Sequence, residues 1–201
     1  MRKIITTTFV TLDGVMQAPG GSKEDTADGF KYGGWQMDWN EPDEIANKIM
    51  NKLMNAPFDL LLGRRTYDIW AGFWPKHKDE PQWGKPFDIA TKYVVSHKPI
   101  ELSWDNSKLI TGDVVEEIKK LKKSDGPDLS VWGSSNLIQT LLKHNLIDRM
   151  HIWTYPITIG TGKKLFEQGT LPERFKPIDG QITSTGVIFA TYEPSEPLKK
   201  G

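Results

Sequence analysis

Apolar positions along the chain follow two rhythms. Residues 3–10 (KIITTTFV) are β-branched and aromatic and predict a strand. From Asp43 to Asn55, Ile45, Ile49 and Leu53 recur at helical spacing, as do Ala46, Met50 and Met54. Pro42, Asp43 and Glu44 suit the start of that helix, where negative charge meets the positive end of the dipole. PFDLLL (57–62) reads as a buried strand that runs into a second helix beginning GRRTYDIW (63–70). KYVVSH (92–97) and SKLIT (107–111) predict short strands. Between Asp113 and Lys123, Val114, Val115, Ile118 and Leu121 form one helical face. LSVW (129–132) is a further strand, and GSSNLIQTLLKHNL (133–146) opens a helix on Leu137, Ile138, Leu141 and Leu142.

After that helix the period changes. RMHIWTYPI (149–157) and QITSTGVIFATYE (181–193) alternate with period two, and no convincing helix separates them. Strands alternating with helices predict a mainly parallel sheet covered on both faces, extended by antiparallel C-terminal strands. No linker interrupts the pattern, so a single domain over 1–201 is expected, with a polar tail from 194 onward that frays. Residues 11–43 break the rhythm. A connection that long inside a compact domain is usually functional. Its aromatics, Phe30, Tyr32, Trp35 and Trp39, argue against disorder.

Composition narrows the function. Lys plus Arg and Asp plus Glu both number 26, so the chain lacks the positive surplus that binds nucleic acid or an anionic membrane. With no cysteine, thiolate zinc sites, iron–sulfur clusters, disulfides and thiol nucleophiles are all excluded. The four histidines show no metal spacing, so no metal is expected. No secretory leader and no apolar run of membrane length is apparent, and a cytoplasmic location is expected. There is no GxGxxG, GxxxxGK[ST] or GxSxG.

The chemistry gathers where strands end. Three predicted strands run into polar segments: Gly63-Arg64-Arg65-Thr66, Ser96-His97, and Gly133-Ser134-Ser135-Asn136. In an open α/β sheet a ligand lies beyond the carboxyl ends of the strands. Two of these segments also begin helices, whose free amides and dipole suit phosphate. Arginine adds a planar fork for a phosphate monoester. Two anion sites and a basic edge point to a dinucleotide with an extra phosphate, NADPH rather than NADH. Each residue also has an ordinary role open to it: a tight turn at Gly63, an N-cap at Ser134, a solvated face at Arg64 and Arg65. Asp13-Gly14 is a turn pair as well as a possible site element.

These segments resemble the dihydrofolate reductase superfamily, and within it the reductase domain of the bacterial riboflavin-biosynthesis deaminase-reductase. The resemblance spans roughly residues 3–192. It rests on FVTLDGVM (9–16), LLLGRRTYDIW (60–70), KYVVSH, and the long run VWGSSNLIQTLLKHNLIDRMHIWTYPITIGTGKKLF (131–166). It implies a three-layer α/β/α fold and a homodimer. It also implies NADPH held by Gly63, Arg64, Arg65 and Thr66 on one side and Gly133 to Leu137 on the other, with Ser96 or His97 near the 2′-phosphate. The loop bearing Asp13 and Gly14 would cover the nicotinamide. Glu44 or Asp43 would supply the proton, with Asp13 also in the catalytic set, and Gly14, Trp35 and Trp39 would border a small heterocyclic substrate. The remaining tryptophans are expected in the core.

Overall fold

A computed structural model of the protein describes residues 1–196 and gathers the predicted strands into one eight-stranded sheet. Along the chain come β1 (Ile4–Thr11), α1 (Glu44–Asn55), β2 (Phe58–Gly63), α2 (Arg64–Phe73), α3 (Gly84–Ile89), β3 (Lys92–Val95) and β4 (Ser107–Ile110). Then follow α4 (Val114–Lys123), β5 (Asp128–Trp132), α5 (Ser135–Lys143), β6 (Arg149–Tyr155), β7 (Phe175–Ile182) and β8 (Ile188–Pro194). The order across the sheet is β4-β3-β2-β5-β1-β6-β8-β7. Pairing is parallel from β4 to β6 and antiparallel in β8 and β7.

Successive residues of β2 feed opposite faces. Leu60 and Leu62 pack in one apolar cluster with Ile49 and Met50 of α1, Tyr67 of α2 and Phe87 of α3. Leu61 packs in the other with Ile118 of α4 and Leu137, Ile138 and Leu141 of α5. The result is three layers, helix on sheet on helix. From β2 the chain moves outward to β3 and β4. From β5, which lies beside β2, it moves the other way to β6. The helices α2 and α5 therefore leave neighbouring strand ends on opposite faces, and their starts open on one crevice.

Two segments differ from the sequence expectation. Between α2 and β3 lie α3 and a short 3-10 turn, Trp74–His77, where no element was predicted. Gly72, Pro75, Pro81, Gly84 and Pro86 break the periodicity there. Order comes instead from the Glu80 carboxylate, which accepts from the amides of Gln82, Trp83 and Gly84 at 3.1, 2.7 and 3.1 Å. The second segment is 181–193, which is not one strand. A turn over Thr183–Gly186 divides it, and β7 starts earlier, at Phe175. Since β7 is the sheet edge and exposed along nearly its whole length, it carries no apolar alternation to read. In the predicted fraying tail, Pro194 still belongs to β8 and the Ser195 amide donates to the Arg174 carbonyl at 2.8 Å; residues 197–201 lie outside the described residues.

Three buried polar groups fix the layers. Asp43 caps α1 by accepting from the Ala46 amide at 2.7 Å and also accepts from the Ser184 amide at 2.6 Å and the Ser184 hydroxyl. It thereby ties α1 to the β7–β8 turn. Lys92 is buried at the start of β3, its ammonium donating to the carbonyls of Asp88 at 2.5 Å and Asp105 at 3.1 Å, 4.3 Å from the Trp104 ring centroid. Burial lowers its pKa to about 8, against the pull of Asp88 and Asp105. This contact anchors the last turn of α3 against the sheet.

The third is His151 in β6, whose Nδ1 lies 2.9 Å from Thr191 Oγ1 and whose ring stacks on Phe189. Burial, reinforced by the charges of Arg149 and Lys52, lowers its pKa from 6.5 to about 4. The unfolded chain then binds a proton between those values that the folded chain excludes, so this contribution to stability is present above pH 6.5 and is lost as pH falls toward 4. Denaturant titrations over that range will show stability falling with pH in the native protein, with a shallower slope in His151→Gln. Equal slopes would remove His151 from the acid response.

Candidate active site

The crevice at the carboxyl ends of β1, β2, β3 and β5 is a cleft of about 1420 Å³. All eleven residues expected to hold a cofactor line it: Gly63, Arg64, Arg65, Thr66, Ser96, His97, Gly133, Ser134, Ser135, Asn136 and Leu137. What joins them is local backbone geometry. Gly133 and Ser134 both adopt left-handed conformations, φ 53° and 54°. The turn they make presents the Ser134 amide to Thr66 Oγ1 at 2.9 Å and Ser134 Oγ to the Gly63 amide at 3.0 Å. The starts of α2 and α5 are thus locked side by side.

The helix starts differ in a telling way. The first turns of α1 and α4 are capped by the side chains of Asp43 and Asp113. Those of α2, α3 and α5 have no N-cap side chain; at α3 the Glu80 carboxylate takes the Trp83 and Gly84 amides instead, which leaves α2 and α5 with uncovered first-turn amides at the cleft. Ser134 is therefore no ordinary N-cap, because its hydroxyl is engaged with Gly63. First-turn amides without a cap are donors awaiting an acceptor, and the dipole favours an anion there.

Arg64 and Arg65 stand at the head of α2. Arg64 pairs with Asp68 at 2.5 Å and Arg65 with Asp25 at 3.0 Å, and about half of each guanidinium side chain remains exposed. The Arg64–Asp68 pair, exposed on both sides, is worth only about 0.2–1 kcal/mol. A bidentate phosphate can displace it.

A family model for the RibD C-terminal domain matches residues 2–189. The chain belongs to the RibD C-terminal domain family. The uncharacterized protein YyaP of Bacillus subtilis (strain 168) is 29% identical over 95% of this chain and 94% of its own. Among solved structures, a protein assigned to riboflavin biosynthesis from Shewanella sp. PV-4 superposes with a TM-score of 0.68 at 22% identity, covering 96% of this chain and 99% of its own. Dihydrofolate reductase from Enterococcus faecalis, complexed with NADP(H), gives 0.58 at 13% identity over 96% and 97%. A pyrimidine reductase-like protein from Corynebacterium diphtheriae gives 0.59 at 12% identity over 97% and 92%. These likenesses share the dihydrofolate reductase-like fold.

In this RibD C-terminal domain the substrate side differs from the sequence expectation. Trp35 is buried, its indole N–H donating to the Gln17 carbonyl at 2.8 Å, and its ring meets Tyr155 edge-on at 5.3 Å. Trp39 packs on the same Tyr155 at 5.8 Å. Neither lines the cleft. The tryptophans that do are Trp70, Trp74, Trp83 and Trp132; Trp132 is in the core and the other three pack against it, as expected, while also facing the cleft. On a helix face, an indole at a cleft and an indole in a core have the same spacing. Glu44 is exposed on α1 and does not reach the cleft. Asp13 is committed elsewhere, accepting from the Thr11 hydroxyl at 2.6 Å and the amides of Ile159 and Gly160 at 3.1 and 2.8 Å. Burial would raise its pKa, but these bonds outweigh that and hold it low, so it stays ionised as a turn fastener. Gly14 has φ 83° and belongs to the same turn, its carbonyl accepting from the Leu165 amide at 2.9 Å.

The carboxyl groups that do line the cleft, Glu24 and Asp25, lie in the long segment after β1. Glu24 Oε2 accepts from the amides of Gly20 and Gly21 at 2.8 and 3.1 Å. Burial raises its pKa against those two bonds, with the Asp25 charge adding to the rise. Asp25 bridges Arg65 and Lys163, the latter at 2.7 Å. Burial works against its ionisation, but Lys163, the Ala27 amide and the Arg65 charge together lower its pKa. Residues 17–25 thereby form a strap across the cleft, tied to α2. No periodicity marks these two acids in the sequence. The only signal was the length of the segment.

A side chain at position 133 would strain the left-handed turn and bring a Cβ to 3.3 Å from Thr66 Oγ1. Gly133→Ala is expected to cost about 1–2 kcal/mol of stability and to weaken phosphate binding at α5. Thermal denaturation and a pyrophosphate titration will measure both.

Proposed function

We propose that this RibD C-terminal domain is an NADPH-dependent reductase that delivers a hydride to a small heterocycle of the pterin or aminopyrimidine type. One observation carries the reading. Two adjacent helix starts lack side-chain caps and open on the same crevice, with an arginine pair at one of them. Of the other helix starts, α1 and α4 are capped by aspartates and α3 has its first amides taken by the Glu80 carboxylate. The relatives agree in kind: one is complexed with NADP(H), another is pyrimidine reductase-like.

NADPH bound here supplies the hydride. The rest falls to the chain. The amides at the head of α5 and the Gly133–Ser134 turn would take the pyrophosphate, and Arg64 with Ser96 or His97 the 2′-phosphate. The strap excludes water and fixes the approach of the two reactants. Glu24 would donate the proton that completes the reduction, since burial keeps it protonated to a higher pH than an ordinary glutamate. A second reading, NADP(H) binding without turnover, draws support from Glu44 and Asp13, neither of which presents an acid to the cleft.

Arg64→Ala is expected to weaken NADPH about tenfold, or about 1.4 kcal/mol, and NADH much less. Fluorescence titration of the tryptophans will measure this. Equal losses would place the 2′-phosphate elsewhere. With dihydrofolate and pyrimidine acceptors, NADPH oxidation should hold at low pH and fall as pH rises through the raised Glu24 pKa. Glu24→Gln should lower the rate about 100-fold and abolish that limb of the profile. Tight NADPH binding with no turnover of any acceptor would favour the second reading.

A further inference from the structure

Asp25 carries the ion pair between the strap and α2. Its Oδ1 lies 3.0 Å from Arg65 Nε and accepts from the Ala27 amide at 3.0 Å. Its Oδ2 accepts from the ammonium of Lys163, between β6 and β7, at 2.7 Å. One carboxylate is thus shared by two cations, and the three side chains hold one positive charge in excess. Arg64 and Asp68, beside them on α2, balance each other.

The two cations are not equivalent. The Arg65 side chain is 58% exposed, while those of Asp25 and Lys163 are 12% and 22% exposed. Burial opposes the ionisation of Asp25. The Lys163 hydrogen bond does most to offset it, and the Arg65 charge does least. A sheltered carboxylate is costly to leave without a counter-charge. Arg65 can therefore leave Asp25 as long as Lys163 stays.

The strap does not need the Lys163 ammonium to keep its backbone in place. The Lys163 amide donates to Gln17 Oε1 at 3.0 Å, and its carbonyl accepts from the Met16 amide at 2.8 Å. Gln17 Nε2 donates in turn to the carbonyls of Asp25 and Ala27 at 3.2 and 3.1 Å. These bonds join the two ends of the strap through main chain and Gln17. What the ammonium adds is a charge beside Asp25.

We propose that Lys163 is a positioning residue for the cofactor, keeping Asp25 paired while Arg65 exchanges that carboxylate for a cofactor phosphate. Lys163 makes no contact with the phosphate and acts through Asp25 and Arg65. The exchange needs a phosphate of NADPH at the head of α2, and so rests on the function proposed for the cleft.

Calorimetric titration of NADP⁺ into the native protein tests that function's cofactor by itself. Lys163→Met should weaken NADP⁺ about tenfold, because the exchange then leaves a sheltered carboxylate unpaired. Lys163→Arg should restore binding. Asp25→Asn releases Arg65 and should bind NADP⁺ at least as tightly as the native protein; weaker binding there overturns the proposal whatever Lys163→Met does. In an Asp25→Asn background, and again in Arg65→Ala, adding Lys163→Met should change the affinity by less than about twofold. A tenfold loss that persists in either background would mean that Lys163 touches the phosphate or merely braces the strap, and the proposal fails. It fails equally if Lys163→Met binds NADP⁺ as the native protein does. If NADP⁺ does not bind the native protein, the cofactor reading falls, and the same set of variants titrated with pyrophosphate decides the exchange. A loss confined to the background holding both Asp25 and Arg65 supports it; a loss in every background, or no binding, overturns it.

Discussion

Two hydrogen bonds across the gap between β2 and β5 set the geometry on which the cleft depends. The Ser134 amide donates to Thr66 Oγ1, and the Ser134 hydroxyl oxygen accepts from the Gly63 amide. Both bonds require the left-handed backbone at Gly133 and Ser134. Serine in that conformation is disfavoured by roughly 1–2 kcal/mol. Its persistence means the surroundings over-determine it, which is common where a ligand must be held. The same turn spends the Ser134 hydroxyl on β2 and so leaves the first amides of α5 without a side-chain cap. The structural tie and the uncapped start of α5 are consequences of one local conformation.

The arrangement of the layers follows from which strands are buried on both faces. PFDLLL, KYVV and LSVW are legible as strands because their apolar residues serve the clusters on both faces of the sheet, and the helices between them carry one apolar stripe each. The position of the residues proposed to hold the anion was legible for a related reason. Gly63, Arg64 and the Gly133–Asn136 segment sit at transitions from strand to helix, where the sheet topology brings ligands. Residue type and position coincide there.

The tryptophan-lined end of the cleft was not legible. Trp70 and Trp74 occupy helical positions, where nothing in the spacing separates a core indole from one left half-open. Trp35 and Trp39 lie in the irregular segment and yet pack on Tyr155. Glu24 and Asp25 act through a strap whose shape depends on contacts distant in sequence: Arg65 on α2 and Lys163 on the far side of β6. Edge strand β7 was missed because exposure removes the alternation that reveals a strand. Asp43 illustrates the same limit. Its place at a helix start could be read, but its second partner, Ser184, lies 141 residues away.

One consequence lies in α2 itself. It carries the arginines at one end and the aromatic surface near the other, on a single rigid rod anchored at Gly63. The helix is therefore a ruler, setting the distance between the two ends of anything laid along it. Inserting one residue between Arg65 and Trp70 would swing the indole by about 100° around the axis and turn it out of the cleft. Descendants of this sequence can change what they accept by exchanging side chains along the rod. They cannot do so by changing its length.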